Sequence, residues 1–241
     1  MRIVALESSA VAASACVMED DKLLGEFYIN TRQTHSQTLL PMVQAVMADT
    51  GTSIGQVDCL AVSAGPGSFT GVRIGVASVK GLAFPHDIPC CGVSTLEAMV
   101  MNLRQSDCLI CAVMDARCAQ VYNALFAAGS GKLERLTEDR ALSIAQLAEE
   151  LPAWMEKLQK PLILVGDGAG VCAASPDFAG IEKTVAPPHL VMQRASGVAE
   201  AARRMVAEGK TVSAGRLAPV YLGMPQAGRG VKKRLRGHKP E

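Results

Sequence analysis

At 241 residues, 49% of them hydrophobic and 20% charged, the chain has room for one large or two small domains with a real core, which excludes an intrinsically disordered protein. Twenty-four basic against 23 acidic residues leave a net charge of +1, so no global electrostatic force drives it onto nucleic acid or an anionic membrane. No apolar run spans a bilayer and Glu7 interrupts the one N-terminal stretch resembling a secretion signal, so a cytoplasmic location without membrane contact is expected.

From the N-terminus, RIVALES, ASACVMED and KLLGEFYI read as three successive strands separated by turn residues. HSQTLLPMVQAVMADTG then sets Leu39, Val43, Val46 and Met47 at helical spacing and closes at Gly51; Pro41 falls early enough not to break it. DCLAVSAGPG is a buried strand, TGVRIGVASVKGLAF a helix starting near Thr70, PCCGVST a strand, and STLEAMVMNLR a helix opened by Ser94 or Thr95.

The order then restarts. CLICAVMDAR, QVYNALFAA and KLERLTED read as strands, and SIAQLAEELPAWMEKLQK as a helix with Ser143 at its N-cap. PLILVGDGAG is a buried strand entering a glycine turn, EKTVAPP a further strand, and QRASGVAEAARRMVAEGK an amphipathic helix stopping at Gly209. A βββαβα order met twice predicts two related α/β halves, each a mixed sheet flanked by helices, over 1–104 and 105–222. Residues 223–241 are polar, glycine-rich and basic, and are expected to form a flexible tail.

GPGSFTGVRIG at 65–75 invites a phosphate-loop reading and fails it. A P-loop needs lysine and a hydroxyl residue after the last glycine, whereas Gly71 is followed by Val72 and Arg73. The dinucleotide fingerprint fails because Gly71 comes one residue late, and no G-x-S-x-G surrounds Ser68. GSGK at 129–132 lacks the spacing too and reads as a hairpin turn. What remains at 65–75 is a strand-to-helix turn, with anion binding at the helix start left open. The helix is apolar or small on nearly every side and must be covered on more than one face, by its own fold or by another chain.

The eight cysteines lie mostly in apolar runs, where they behave as small hydrophobes; Cys108 and Cys111, three apart on a strand, point to opposite faces. The four histidines show no metal-binding spacing. Glu7 and Asp115 end the first strands of the two halves, and Asp167 lies in the turn GDG. Such acids suit a magnesium–nucleotide site and equally suit ordinary turn chemistry.

GPGSFTGVRIGVASVKGLAF followed by GVSTLEAM closely resembles the signature of the TsaB, or YeaZ, family, and THSQTLLPMV, VMDARCAQVY, VGDGA and APVYL match it in the same order, to about Leu222. The resemblance implies the duplicated fold of actin, sugar kinases and the Hsp70 ATPase. It implies a non-catalytic scaffold in the bacterial synthesis of threonylcarbamoyladenosine (t6A) at position 37 of tRNAs reading ANN codons. TsaD, the transferase, is the direct heterodimer partner. TsaE is an ATPase partner, TsaC supplies the threonylcarbamoyl-adenylate, tRNA is reached through the complex, and a homodimer is allowed for the free chain.

The same resemblance implies no catalytic residue, no metal ligand and no cofactor of its own, with ATP or ADP and Mg allowed at the complex interface. CCGVSTLEAM lacks the histidine pair with which the transferase binds metal. Carried over by position, the partner surface is helix 36–48 and its start, with His35, Leu39, Leu40 and Val43, and helix 70–83, with Val72, Arg73, Val76 and Lys80. Glu7 stands where the family usually has Asp, weakening autonomous nucleotide binding, and the basic tail is a candidate for tRNA phosphates. The rival reading is an ATP-dependent small-molecule kinase using Glu7, Asp115 and Asp167 around magnesium. A peptidase lacks both the metal histidines and a nucleophile–histidine arrangement.

Overall fold

The computed structural model describes residues 1–31 and 33–222; the tail expected over 223–241 lies outside them. The first half contains β1 (Arg2–Glu7), β2 (Ala13–Glu19), β3 (Lys22–Ile29), α1 (His35–Asp49), β4 (Cys59–Gly65), α2 (Phe69–Ala83), β5 (Cys90–Ser94) and α3 (Thr95–Val100). The second contains β6 (Cys108–Arg117), β7 (Gln120–Gly129), β8 (Lys132–Arg135), β9 (Arg140–Ser143), α4 (Ile144–Leu158), β10 (Leu162–Val165), α5 (Ala169–Ala174), β11 (Thr184–Val185) and α6 (Ala195–Ala207).

The two sheets share one topology. The first runs β3-β2-β1-β4-β5, antiparallel through β3-β2-β1 and parallel through β1-β4-β5. The second repeats it as β8-β7-β6-β10-β11, with β9 also paired to β7. Each half is thus βββαβαβα with β9 added to the second; all eight elements predicted for the first half are present, so the shorthand βββαβα falls one strand–helix pair short of them. The short α5 and β9 went unseen because a six-residue helix after GDG and a four-residue strand after a turn carry too little periodicity.

Strand alternation assigns the core faces. Val4, Leu6, Ala15, Val17, Leu60 and Val62 face α1 and α2, while Ile3, Ala5, Cys16, Cys59 and Cys91 face α6. In the second sheet Cys111 packs toward α4 and α5 and Cys108 toward α3, on opposite faces as expected.

The last helix crosses over. α6 is built from the second half yet packs its alanines on the first sheet, and α3 packs on β6 and β7. Gly197 of α6 lies so close to the Ala98 carbonyl of α3 that any Cβ would overlap it. The N-terminus of α6 is capped from the first sheet: Ser14 Oγ accepts from the Ala195 N–H (2.7 Å), and Glu26 accepts from the Ser196 N–H (3.0 Å) and from Arg194 (2.7 Å).

After α6 the chain returns across the first half. Val212 bridges Cys90, Leu217 enters the core beneath α2, and the Val220 N–H donates to the Ala64 carbonyl (2.7 Å). No helix among the described residues is long and apolar enough to cross a membrane.

Candidate functional site

The glycine-rich turn holds a buried polar cluster at the C-terminal end of β1. Glu7 is fully buried; one carboxylate oxygen accepts from the Ser9 N–H (2.6 Å) and the other from Ser63 Oγ. Burial raises its pKa, against the hydrogen bonds from Ser63 and Ser9 and the nearby His35. Gly67 lies against Ser9, and Gly71 and Gly75 against Ser8, each too tightly for a Cβ. Ser8 Oγ donates to the Gly71 carbonyl (3.0 Å), and His35 Nε2 hydrogen-bonds the Ala10 carbonyl (2.6 Å). The glycines therefore seat α2 on the loop after β1, and Ser68 caps the helix by accepting from the Gly71 N–H (3.3 Å).

The second half has its own acid pair. Asp115 ends the straight part of β6; its carboxylate accepts from the Arg117 N–H (2.8 Å) and pairs with the exposed Arg117 guanidinium (3.1 Å). Gly168 packs against the backbone of Met114 and Asp115, which brings Asp167 alongside. Burial raises the Asp167 pKa, a hydrogen bond from Gln193 Nε2 (3.0 Å) opposes that, and the Asp115 charge adds to the rise. Asp115 and Asp167 are thus neighbours, while Glu7 is enclosed by the loop that follows it and by Ser63 of β4. Among the described residues no three His, Cys, Asp or Glu side chains converge to hold a metal, so Glu7, Asp115 and Asp167 do not form one cluster. Ser63, Ser9 and Gln193 were missed as partners of these acids, because nothing in their spacing marks them.

The eight residues carried over as a partner surface separate into two groups. Leu39, Val43, Val72 and Val76 point inward and are at most 4% exposed, so they belong to the core between the two helices and the first sheet. This is a correction: at helical spacing the strongest apolar positions face the sheet, and the outer face falls to their neighbours. His35 is half-buried on the Ala10 carbonyl, Lys80 is half-buried with Nζ donating to the Gly215 (3.3 Å) and Leu217 (3.1 Å) carbonyls, and Leu40 and Arg73 are exposed. The outward stripe of α1 and α2 is Leu40, Pro41, Gln44, Thr70, Arg73, Ala77 and Gly81, ending on Phe84 at 74% exposure.

A duplicated β3-β2-β1-β4-β5 sheet with a glycine-seated helix after the fourth strand defines the actin, sugar-kinase and Hsp70 ATPase fold class. The model of the TsaD family, tRNA N6-adenosine threonylcarbamoyltransferase, matches residues 22–219. The tRNA threonylcarbamoyladenosine biosynthesis protein TsaB of Escherichia coli (strain K12) is 33% identical over 226 residues, covering 92% of this chain and 94% of that one. TsaB of Bacillus subtilis (strain 168) is 32% identical, covering 69% and 71%. The solved structure of YeaZ from Pseudomonas aeruginosa superposes with a TM-score of 0.77 at 27% identity, covering 92% of this chain and 99% of that one. The chain belongs to the TsaB (YeaZ) family.

Proposed function

We propose that the protein is a non-catalytic scaffold that pairs with and activates a TsaD-type transferase in the formation of t6A on tRNA. The observation that carries this, beside family membership, is the outward stripe of α1 and α2, where small and apolar residues stand free on two adjacent helices. A Cβ at Gly81 would meet nothing within 4 Å, so a partner helix can approach closely there. TsaE and tRNA join through that complex, and ATP or ADP with Mg sits at its interface. A non-catalytic role is supported by Glu7, whose two oxygens are both taken, one by the Ser9 N–H and the other by Ser63 of β4.

The test is threonylcarbamoyl transfer to tRNA by purified TsaD, TsaC and TsaE, with and without this chain. The expected result is t6A only when the chain is present, lost with Leu40→Asp, which alters the stripe and spares the core. Transfer that proceeds equally without the chain refutes the reading. One observation favours a second function: Asp115 and Asp167 are neighbours in the second half, two of the three acids that a kinase reading of this fold class would use. Tight ATP binding by the isolated chain, lost with Asp167→Asn, would support that kinase instead.

A further inference from the structure

Cys59 and Cys91 bring two thiols together inside the first half. Cys59 opens β4 and Cys91 is the second residue of β5, and their sulfurs lie 3.6 Å apart on the face of the sheet covered by α6. Both side chains are fully buried, and the Cys90 thiol, on the opposite face, turns away to the Ile88 carbonyl (3.5 Å). The Cys59 S–H donates to the Cys91 sulfur. That contact makes Cys91 the more acidic of the two, although burial opposes it, while the same contact and burial hold the Cys59 proton firmly.

A disulfide is not what this geometry prepares. Cys91 is registered against Ala61, two residues beyond Cys59, which sets the two Cα atoms about 8 Å apart, past the limit of about 7 Å that a disulfide spans without moving the strands. A single ion between the sulfurs needs no such movement. Two thiolate–metal bonds of about 2.3 Å that meet at a bent angle reach sulfurs about 3.7–4.0 Å apart, a small adjustment from the contact that is already there.

The surroundings choose the ion. The apolar cluster around the pair also contains Cys16 and the thioethers of Met18, Met101 and Met205. Such a sulfur-lined setting disfavours magnesium and calcium, which take oxygen ligands. A structural zinc needs four nitrogen or sulfur ligands, and among the described residues no three His, Cys, Asp or Glu side chains converge. A soft univalent ion is satisfied by two cysteine sulfurs with a thioether beside them. The charge agrees, because such an ion takes the place of one thiol proton, which leaves to solvent, and the buried site stays neutral. Both cysteines stand at the start of their strands, and Met205 and Val206 of α6, packed on the same cluster, are only half-buried, which keeps the path from solvent short.

We infer that Cys59 and Cys91 form a binding site for a soft univalent metal ion, copper(I), between β4, β5 and α6. The inference is independent of the scaffold reading and concerns the face of the first sheet opposite α1 and α2. A bound ion ties β4 to β5 beneath α6, so loading stabilises the folded chain.

The experiment titrates the full, reduced chain with copper(I) under anaerobic conditions against the chelator bicinchoninate, in a Cys118→Ser background that removes the one exposed thiol. Cys59→Ala and Cys91→Ala are compared with that parent and with Cys108→Ala, a buried cysteine of the second sheet. Melting temperatures and X-ray absorption of the loaded protein are measured in parallel. The expected result is one ion per chain, bound about 100-fold more weakly by Cys59→Ala and Cys91→Ala and within about 3-fold of the parent by Cys108→Ala. Loading should raise the melting temperature of the parent and of Cys108→Ala alone, with only sulfur neighbours around the copper. Where an alanine variant melts too low to titrate, slow alkylation of the native parent answers instead: copper should protect Cys59 and Cys91 above Cys108 and Cys172, and equal protection of all four overturns the inference. Equal copper affinity in all variants, nitrogen or oxygen around the metal, or uptake only after unfolding in urea overturns it too. So does a Cys59–Cys91 disulfide formed in the native chain by dilute hydrogen peroxide, which would make the pair a redox couple.

Discussion

Gly71 of α2 rests directly on the carbonyl oxygen of Ser8, with no room for a Cβ between helix and loop. Its backbone is ordinary helix, so the requirement is steric rather than conformational. Gly71→Ala must push α2 away from the first sheet, and Val72 and Val76 move with it. We expect a loss of about 3 kcal/mol in urea unfolding. Gly81→Ala, in the same helix but with open space around it, should instead stabilise by about 0.5–1 kcal/mol. Equal effects at the two positions would remove close approach as the reason for the glycines at 67–75.

Val76 and Ala77 are adjacent in α2 and face opposite environments, one 4% exposed in the core and the other on the outer stripe. Val76→Arg buries an unpaired cation against Leu39 and the sheet, and should cost more than about 4 kcal/mol or prevent folding. Loss of partner binding in that variant would report only the loss of the fold. Ala77→Arg should leave the unfolding midpoint within about 0.5 kcal/mol of wild type while abolishing co-elution with the transferase. Calorimetry and size-exclusion chromatography of both variants separate the two outcomes.

How much of this was readable beforehand follows from where the signals lie. The longer strands and helices follow from period-2 and period-3.6 patterns, and Ser143 is identifiable as a cap because its hydroxyl precedes an apolar-periodic run. The hairpin at 129–132 was legible too, since Gly129 pairs with Lys132 across Ser130 and Gly131 in the left-handed region. The direction each partner-surface residue faces was not legible. An all-round apolar and small helix gives no phase that could check the family carry-over of Val72 and Val76 to the partner surface, and the sheet takes both. Contacts across 148 residues, such as Arg73 with Tyr221, leave no trace in local spacing at all.

Glu7 makes stability depend on pH in a direction opposite to that of a salt-bridged acid. Burial raises its folded pKa above the ordinary value of 4.5, despite Ser63, Ser9 and His35. The folded state therefore favours the protonated carboxyl; that stabilisation is complete below pH 4.5 and is lost as pH rises through the folded pKa. Glu7→Gln keeps an acceptor for the Ser9 N–H, offers an amide to Ser63 and removes the charge. The variant should gain about 1 kcal/mol over wild type at pH 7.5, with the gap closing toward pH 4. Urea titrations at the two pH values give the answer, and a gap independent of pH would mean that burial of the charge is not what matters.

The join between the halves concentrates on Glu26, which accepts from Arg194 (2.7 and 3.1 Å), the Ser196 N–H (3.0 Å) and Ser196 Oγ (3.1 Å) while its side chain is only 6% exposed. It belongs to β3 yet caps a helix that begins 169 residues after it, and it holds the arginine whose guanidinium lies 5.0 Å from the Tyr28 ring. Removing the carboxylate leaves Arg194 partly buried without its counter-charge and strips the α6 N-terminus of its anionic cap. Glu26→Ala should therefore cost about 3–4 kcal/mol, and Glu26→Gln somewhat less because the amide oxygen still accepts from the helix N–H. The loss should appear as earlier hydrogen exchange in α6 and in the strands it covers, β1, β2 and β4, before exchange rises in α4 and β7. Uniform exchange across both halves would show instead that α6 is held by its alanine packing, with the cap contributing little.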